Sequence, residues 1–219
     1  MNKLNIDASV TDRLLVIAPL TKTGSVLDMG VVDSRRGKRG TGKRLETKKA
    51  TSLFKLICDQ NPNTLGVDID AEGIEILRSN GFNTRHEDVM SMDLGQTFDT
   101  IVAGELIEHL PDPGTFLKNM SRHLNPDGTL VITTPNPFYS KQSWKIWRHD
   151  QPSVHEEHVC WFDPITLKTL CEMSGLRVDK IYWVRKKQGF LKTLPARFRG
   201  YFSHSFIVLA KRAGIGGRD

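Results

Sequence analysis

Glu105, Glu108 and His109 stand at i, i+3 and i+4, directly behind the apolar run FDTIVAG (98–104). If a helix begins where that run ends, the three share one face. A second titratable run, HEEHVCWF, occupies 155–162 and adds His155 and His158. An imidazole titrates near neutral pH, so His109, His155 and His158 are candidates for proton transfer to or from a reacting group. A third stretch, GKRGTGKR (37–44), has the G-x-x-x-x-G-K spacing of a phosphate-cradling loop. It lacks the strand that should lead directly into it. Arg44 also stands where Ser or Thr would reach Mg²⁺. That stretch therefore reads as a basic flexible loop and not as a nucleotide triphosphate site.

The elements that must position these residues are legible as alternating apolar runs and helical patterns. Strands are expected at 25–30, 64–69, weakly at 82–86, and at 98–104, 129–134, 176–184 and 205–212. Helices are expected over 46–61 and 71–80, the second stopped by Gly81. Two more should follow the pairs Asp112-Pro113 and Asp163-Pro164, each an N-cap acid before an N1 proline. The latter helix should end at Gly175. Strands alternating with helices imply βαβ units. The expected fold is α/β: a Rossmann-like, doubly wound, mainly parallel sheet of seven strands with an antiparallel edge strand. One domain over 1–219 accounts for the chain, with a basic insertion at 31–49 and a basic connection at 185–204.

The composition is that of a globular protein, with 38% hydrophobic and 26% charged residues. No apolar run is long enough for a membrane span. Asp7 and Asp12 stand where a secretory signal would be apolar or basic. Three cysteines without C-x-x-C spacing suit free thiols, so a cytoplasmic setting is expected. The net charge of +6 is unevenly spread. Residues 35–49 and 177–219 are strongly basic, and 50–176 is acidic. Such segregation suits an anionic substrate, a nucleic acid or a membrane surface.

Ligands of doubly wound sheets sit beyond the carboxyl ends of strands where the strand order reverses. There the sequence offers Asp28 and Gly30 at the end of the first main strand, and Asp68, Ile69 and Asp70 at the end of the second. A glycine lets backbone approach a ligand, and a strand-end acid can accept from both ribose hydroxyls. The absence of G-x-G-x-x-G argues against a cradled pyrophosphate.

With these residues in view, the chain resembles the class I S-adenosylmethionine-dependent methyltransferases over roughly 24–184. VLDMG looks like that family's first motif and GVDID its second. HEDVMSMDL resembles the segment after the third strand. FDTIVAGELIEHLPDPGTFLKNMSRHLNPDGTLVITTPNP resembles the small-molecule O-methyltransferase branch. The resemblance implies S-adenosylmethionine as cofactor, held by Asp28, Gly30, Asp68, Ile69, Asp88, Val89, Gly104 and Glu105. It departs at Val32, where the family usually has a second glycine. Asn136-Pro137-Phe138 is similar to an amine-methylation motif, but it follows the wrong strand and reads as a turn.

The resemblance further implies an enzyme that methylates a hydroxyl on a small molecule or glycan, with His109 and His158 serving the reacting proton. The +7 segment beside the site leads us to expect an anionic acceptor. An RNA ribose 2′-O-methyltransferase and a catalytically degenerate, cofactor-binding member are the alternatives. Glu-x-x-Glu-His with a later histidine is also similar to the RNA 3′-end ribose methyltransferases. By that likeness Glu105, Glu108, His109 and His158 would hold a divalent ion, Mg²⁺ or Mn²⁺, with His155 replacing His158 as the variant.

Overall fold

A computed structural model describes residues 6–32, 52–185, 198 and 200–214. The basic loop readings at 33–51, including Gly37–Arg44, lie outside the described residues, as does most of the 185–204 connection.

Among the described residues the sheet has eight strands: β1 (Ala8–Val10), β2 (Val26–Met29), β3 (Leu65–Asp68), β4 (Thr84–His86), β5 (Phe98–Gly104), β6 (Leu124–Pro135), β7 (Leu176–Val184) and β8 (Ser205–Arg212). Their order is β1-β7-β8-β6-β5-β2-β3-β4. β8 runs antiparallel to both β6 and β7, and the other pairs are parallel. The mainly parallel α/β architecture is as expected. The count is eight and not seven because Ala8–Val10 pairs with Tyr182–Val184 beyond β7. Three residues are too few to carry a readable alternation.

The described residues form six α-helices: α1 (Leu14–Thr21), α2 (Leu53–Gln60), α3 (Ala71–Ser79), α4 (Pro113–His123), α5 (Ser140–His149) and α6 (Pro164–Met173). Side-chain caps start four of them. Ser52 accepts from the Lys55 amide, Asp70 from Gly73, Asp112 from Thr115, and Asp163 from Ile165 and Thr166. Each satisfies an amide that the helix itself leaves unpaired.

Strand residues alternate between two cores. Val26, Val102 and Val131 pack with Ile17 of α1 and Ile57 of α2. Leu27, Ile101 and Leu130 pack on the opposite face with Phe116, Leu117 and Met120 of α4 and Leu167 of α6. This two-sided burial fixes the register and so levels the strand ends. Met29 is opposite Val67 on one side and Ala103 on the other, and Asp68 is opposite His86.

Val32, which departs from the glycine pattern, is buried with Val31, Phe54, Ile74 and Leu77. Its partner is the helical Gly73. A Cβ at Gly73 would come within 2.4 Å of Val32 Cγ1, so valine at 32 and glycine at 73 form a fitted pair. We expect Gly73→Ala to cost about 1–3 kcal/mol through overpacking. In a Val32→Ala background most of that cost should vanish, because alanine otherwise favours a helix. Urea unfolding of the four proteins checks this; strictly additive effects would contradict the fit.

Candidate functional site

The ends of β2, β3, β4 and β5 form one rim. Gly30 leaves β2 with φ +72, a left-handed conformation that glycine adopts without strain. Its amide donates to the Val67 carbonyl at 3.0 Å. Asp68, at the tip of β3, accepts from the Val32 amide through Oδ2 and from the Asp70 amide through Oδ1, both at 2.9 Å. Each oxygen retains a further acceptor direction. Partial burial raises the Asp68 carboxyl above its ordinary value, and these amides pull it back. Ile69 beside it is 69% exposed, unusual for an isoleucine at a strand end.

Across β4, Asp88 turns the chain: Oδ1 accepts from the Met90 amide, and its carbonyl accepts from Ser91 and Met92. Val89 is buried, and its carbonyl accepts from Asn119 of α4. Asp28, Gly30, Asp68, Ile69, Asp88, Val89 and Gly104 thus all occur in or directly behind these four strands.

Beyond Gly104 the chain does not enter an α-helix. Glu105 has φ 54, and a single 3₁₀ turn covers Ile107–His109. The expected shared face of Glu105, Glu108 and His109 is therefore absent. Glu105 Oε1 accepts from the Thr133 hydroxyl at 3.1 Å and lies 3.9 Å from the Arg13 guanidinium. Glu108 is buried; Oε2 accepts from Thr134 at 3.0 Å, and Oε1 has no partner among the described residues. Burial, with the Glu105 charge second, pushes the Glu108 carboxyl up to about 8.

His109 turns the other way. Its Nδ1 donates to the Glu157 carbonyl at 3.2 Å, since a carbonyl can only accept. Nε2 then carries the lone pair. His158 lies edge-on to it with ring centroids 4.6 Å apart, and His155 completes a triangle at 5.9 and 5.5 Å. Ligand atoms of the three lie within 4.8 Å of one another. Desolvation and mutual repulsion lower the pKa of His109 and His158, which keeps their lone pairs available.

The four-residue metal set is therefore divided. His109 and His158 come together with His155, whereas neither Glu105 nor Glu108 belongs to that cluster. The Val159 amide bonds the Glu108 carbonyl at 2.9 Å, tying the histidine loop to the 3₁₀ turn.

Sequence reasoning missed Arg13, Thr133 and Thr134. The threonines sit within an ordinary apolar strand, and Arg13 precedes a helix with no marked pattern. Asn136 is structural: its side-chain amide donates to the Gly200 and Ser203 carbonyls, and Oδ1 accepts from Phe138.

Comparison with known proteins agrees with this fold. A family model described as a methyltransferase domain matches residues 5–181. The human mitochondrial ubiquinone biosynthesis O-methyltransferase is 32% identical over 94 residues, 41% of this chain and 26% of that protein. The Actinobacillus pleuropneumoniae (serotype 7) enzyme of the same name is 24% identical over 150 residues, 59% of this chain and 62% of that one. The chain therefore matches from about a quarter to about three-fifths of these relatives' lengths. A SAM-dependent methyltransferase from Archaeoglobus fulgidus superposes with a TM-score of 0.62 at 21% identity, covering 91% of each chain. The CcbJ methyltransferase from Streptomyces caelestis gives 0.64 at 14% identity, covering 97% of this chain and 94% of that one. These structural likenesses carry the fold.

Asp28 gives a test of the site's electrostatics. It is 3% exposed, and desolvation raises its carboxyl to about 7, partly offset by the Met29 amide and Arg13. A raised folded-state pKa means stability is full near pH 4 and falls as pH climbs toward 7, because the folded chain must release a buried proton. We expect Asp28→Asn to flatten urea stability between pH 4.5 and 7.5 by at least ~1 kcal/mol relative to wild type. Parallel profiles would contradict the burial argument.

Proposed function

The chain belongs to the methyltransferase domain family, and we propose that it transfers a methyl group from S-adenosylmethionine to a hydroxyl of a small molecule. The observation that carries this reading is Asp68, its carboxylate oriented by two backbone amides at the level where β2 turns through Gly30. Each carboxylate oxygen can accept one ribose hydroxyl. Ile69 supplies an exposed apolar surface for the adenine and Val89 borders it, with Asp88 placed for the adenine amine.

The methionine end carries both an ammonium and a carboxylate. Asp28 and Glu105 beside Gly104 suit the first, and Arg13 suits the second. The Val32 side chain points into the core and not toward the rim, which favours a working cofactor site over a degenerate one. The relatives named for ubiquinone O-methylation support a small-molecule hydroxyl over an RNA ribose.

Methyl transfer from a sulfonium needs mainly an aligned nucleophile. His109, with Nδ1 committed to the Glu157 carbonyl, offers Nε2 to take the hydroxyl proton, and His158 beside it is the second candidate. Three imidazoles also fit a nitrogen-seeking divalent ion such as Zn²⁺ better than Mg²⁺, whose oxygen donors the cluster lacks. Such an ion, when bound, would lower the pKa of the acceptor hydroxyl.

Calorimetry with S-adenosylmethionine tests the cofactor assignment. Asp68→Ala should weaken binding at least tenfold, since each charge-assisted bond contributes about 1.5–3 kcal/mol; unchanged affinity would sink it. For the proton, His109→Ala should lower kcat about a hundredfold or more with cofactor affinity intact. Activity of the wild type retained in excess chelator would leave His109 acting as a base alone. Loss on chelation, with recovery on adding Zn²⁺, would assign the imidazoles to a metal. Full turnover in His109→Ala would remove both roles.

A further inference from the structure

α5, SKQSWKIWRH, is unusual among the helices described because none of its residues is buried. Trp147 is 81% exposed, Trp144 54% and Ile146 45%, and Phe138 just before the helix is 64% exposed. At about 100° per residue, Ser140, Ser143, Trp144 and Trp147 share one side. Lys141, Lys145 and Arg148 lie along its flank, and the Arg148 guanidinium sits 5.5 Å from the centre of the Trp144 ring. The helix is held from its other side: Gln142 exchanges two hydrogen bonds with the Ser153 backbone. Trp144 borders a groove with Ser140, Ser143 and Tyr201, and Trp147 beside it faces outward as part of the folded structure.

Water is a poor solvent for such a surface, and a folded chain seldom leaves two neighbouring tryptophans in it without a partner. The composition identifies that partner. An indole has an apolar body and a polar N–H, which suits the boundary between headgroups and acyl chains. Cations flanking it complement anionic headgroups. We propose that this face of α5 docks the protein on an anionic lipid bilayer, lying along its surface. None of the described helices is long and apolar enough to cross a membrane, so the contact is peripheral.

The position fits. α5 follows β6 at the sheet end that carries the rim described above. A cavity of about 500 Å³ lined by Phe138, Ser143, Ile146, Trp161 and Tyr201 separates α5 from the histidine loop. Docking by α5 thus turns the ligand side of the sheet toward the bilayer. The proposal does not depend on which acceptor is methylated.

Vesicle sedimentation at physiological salt tests it, comparing phosphatidylcholine alone with vesicles containing about 30 mol % phosphatidylglycerol. The full chain should partition at least tenfold more strongly onto the anionic vesicles, with a blue shift in tryptophan fluorescence. Trp144→Ser with Trp147→Ser should reduce that binding fivefold or more. Lys141→Ser, Lys145→Ser and Arg148→Ser together should abolish the preference for the anionic vesicles. Circular dichroism controls for folding, and Trp147→Ser alone, at the most exposed side chain, should still give a measurable drop if the double variant unfolds. The proposal is overturned if the wild type ignores both vesicles. It is equally overturned if the tryptophan variants sediment like wild type, because the chain's other basic segments would then carry the binding. Capture by an RNA oligonucleotide or an acidic polypeptide, without vesicle binding, would also overturn it.

Discussion

The site depends on one carboxylate held between two amides. Asp68 at the end of β3 takes the Val32 amide on one oxygen and the Asp70 amide on the other. The first bond ties the exit of β2 to the exit of β3. The second begins the turn that Asp70 then caps into α3. One side chain thus positions the glycine turn, the acid and the following helix. It can do so because burial on both faces of the sheet fixes the strand register, which levels the strand tips. The Val32–Gly73 fit closes the same corner from the core side, allowing a valine where the resembling family has glycine.

Beyond that corner the site divides into two electrostatic regions. Asp28, Glu105 and Glu108 crowd one side, all raised by desolvation, with the Arg13 charge opposing the shift in each. His109, His155 and His158 form the other region, where desolvation and mutual repulsion lower the pKa of His109 and His158. The 3₁₀ turn separates them by sending Glu108 inward to Thr134 and His109 outward to the Glu157 carbonyl. A zwitterionic cofactor end suits the first region, and a hydroxyl that must lose a proton suits the second. The geometry therefore supports a division of labour that the sequence had placed on a single helical face.

Much of the fold could be read from residues alone. FDTIVAG, LRVDKIYWV and SFIVLAKR are strands over the expected spans, because each is a buried or half-buried run bounded by turn formers. Asp112-Pro113 and Asp163-Pro164 start helices for the stated reason, since cap and N1 proline are local chemistry. α1 escaped notice because Pro19 interrupts it, and α5 because it has no capping side chain and no buried stripe. The face shared by Glu105, Glu108 and His109 failed for a backbone reason. Glu105 adopts a left-handed conformation, which residue spacing does not disclose. Likewise His155 joins His109 only through loop geometry, and Arg13 reaches Glu105 only once α1 packs on the sheet.

Hydrogen exchange with and without S-adenosylhomocysteine, resolved by peptide, tests the central claim most directly. If the strand tips hold the cofactor, protection on binding should concentrate in the peptides containing Gly30–Val32, Asp68–Asp70, Asp88–Met90 and Gly104–Leu106. Protection centred instead on Gly37–Arg44, the stretch with phosphate-loop spacing, or no protection at saturating ligand, would contradict the account.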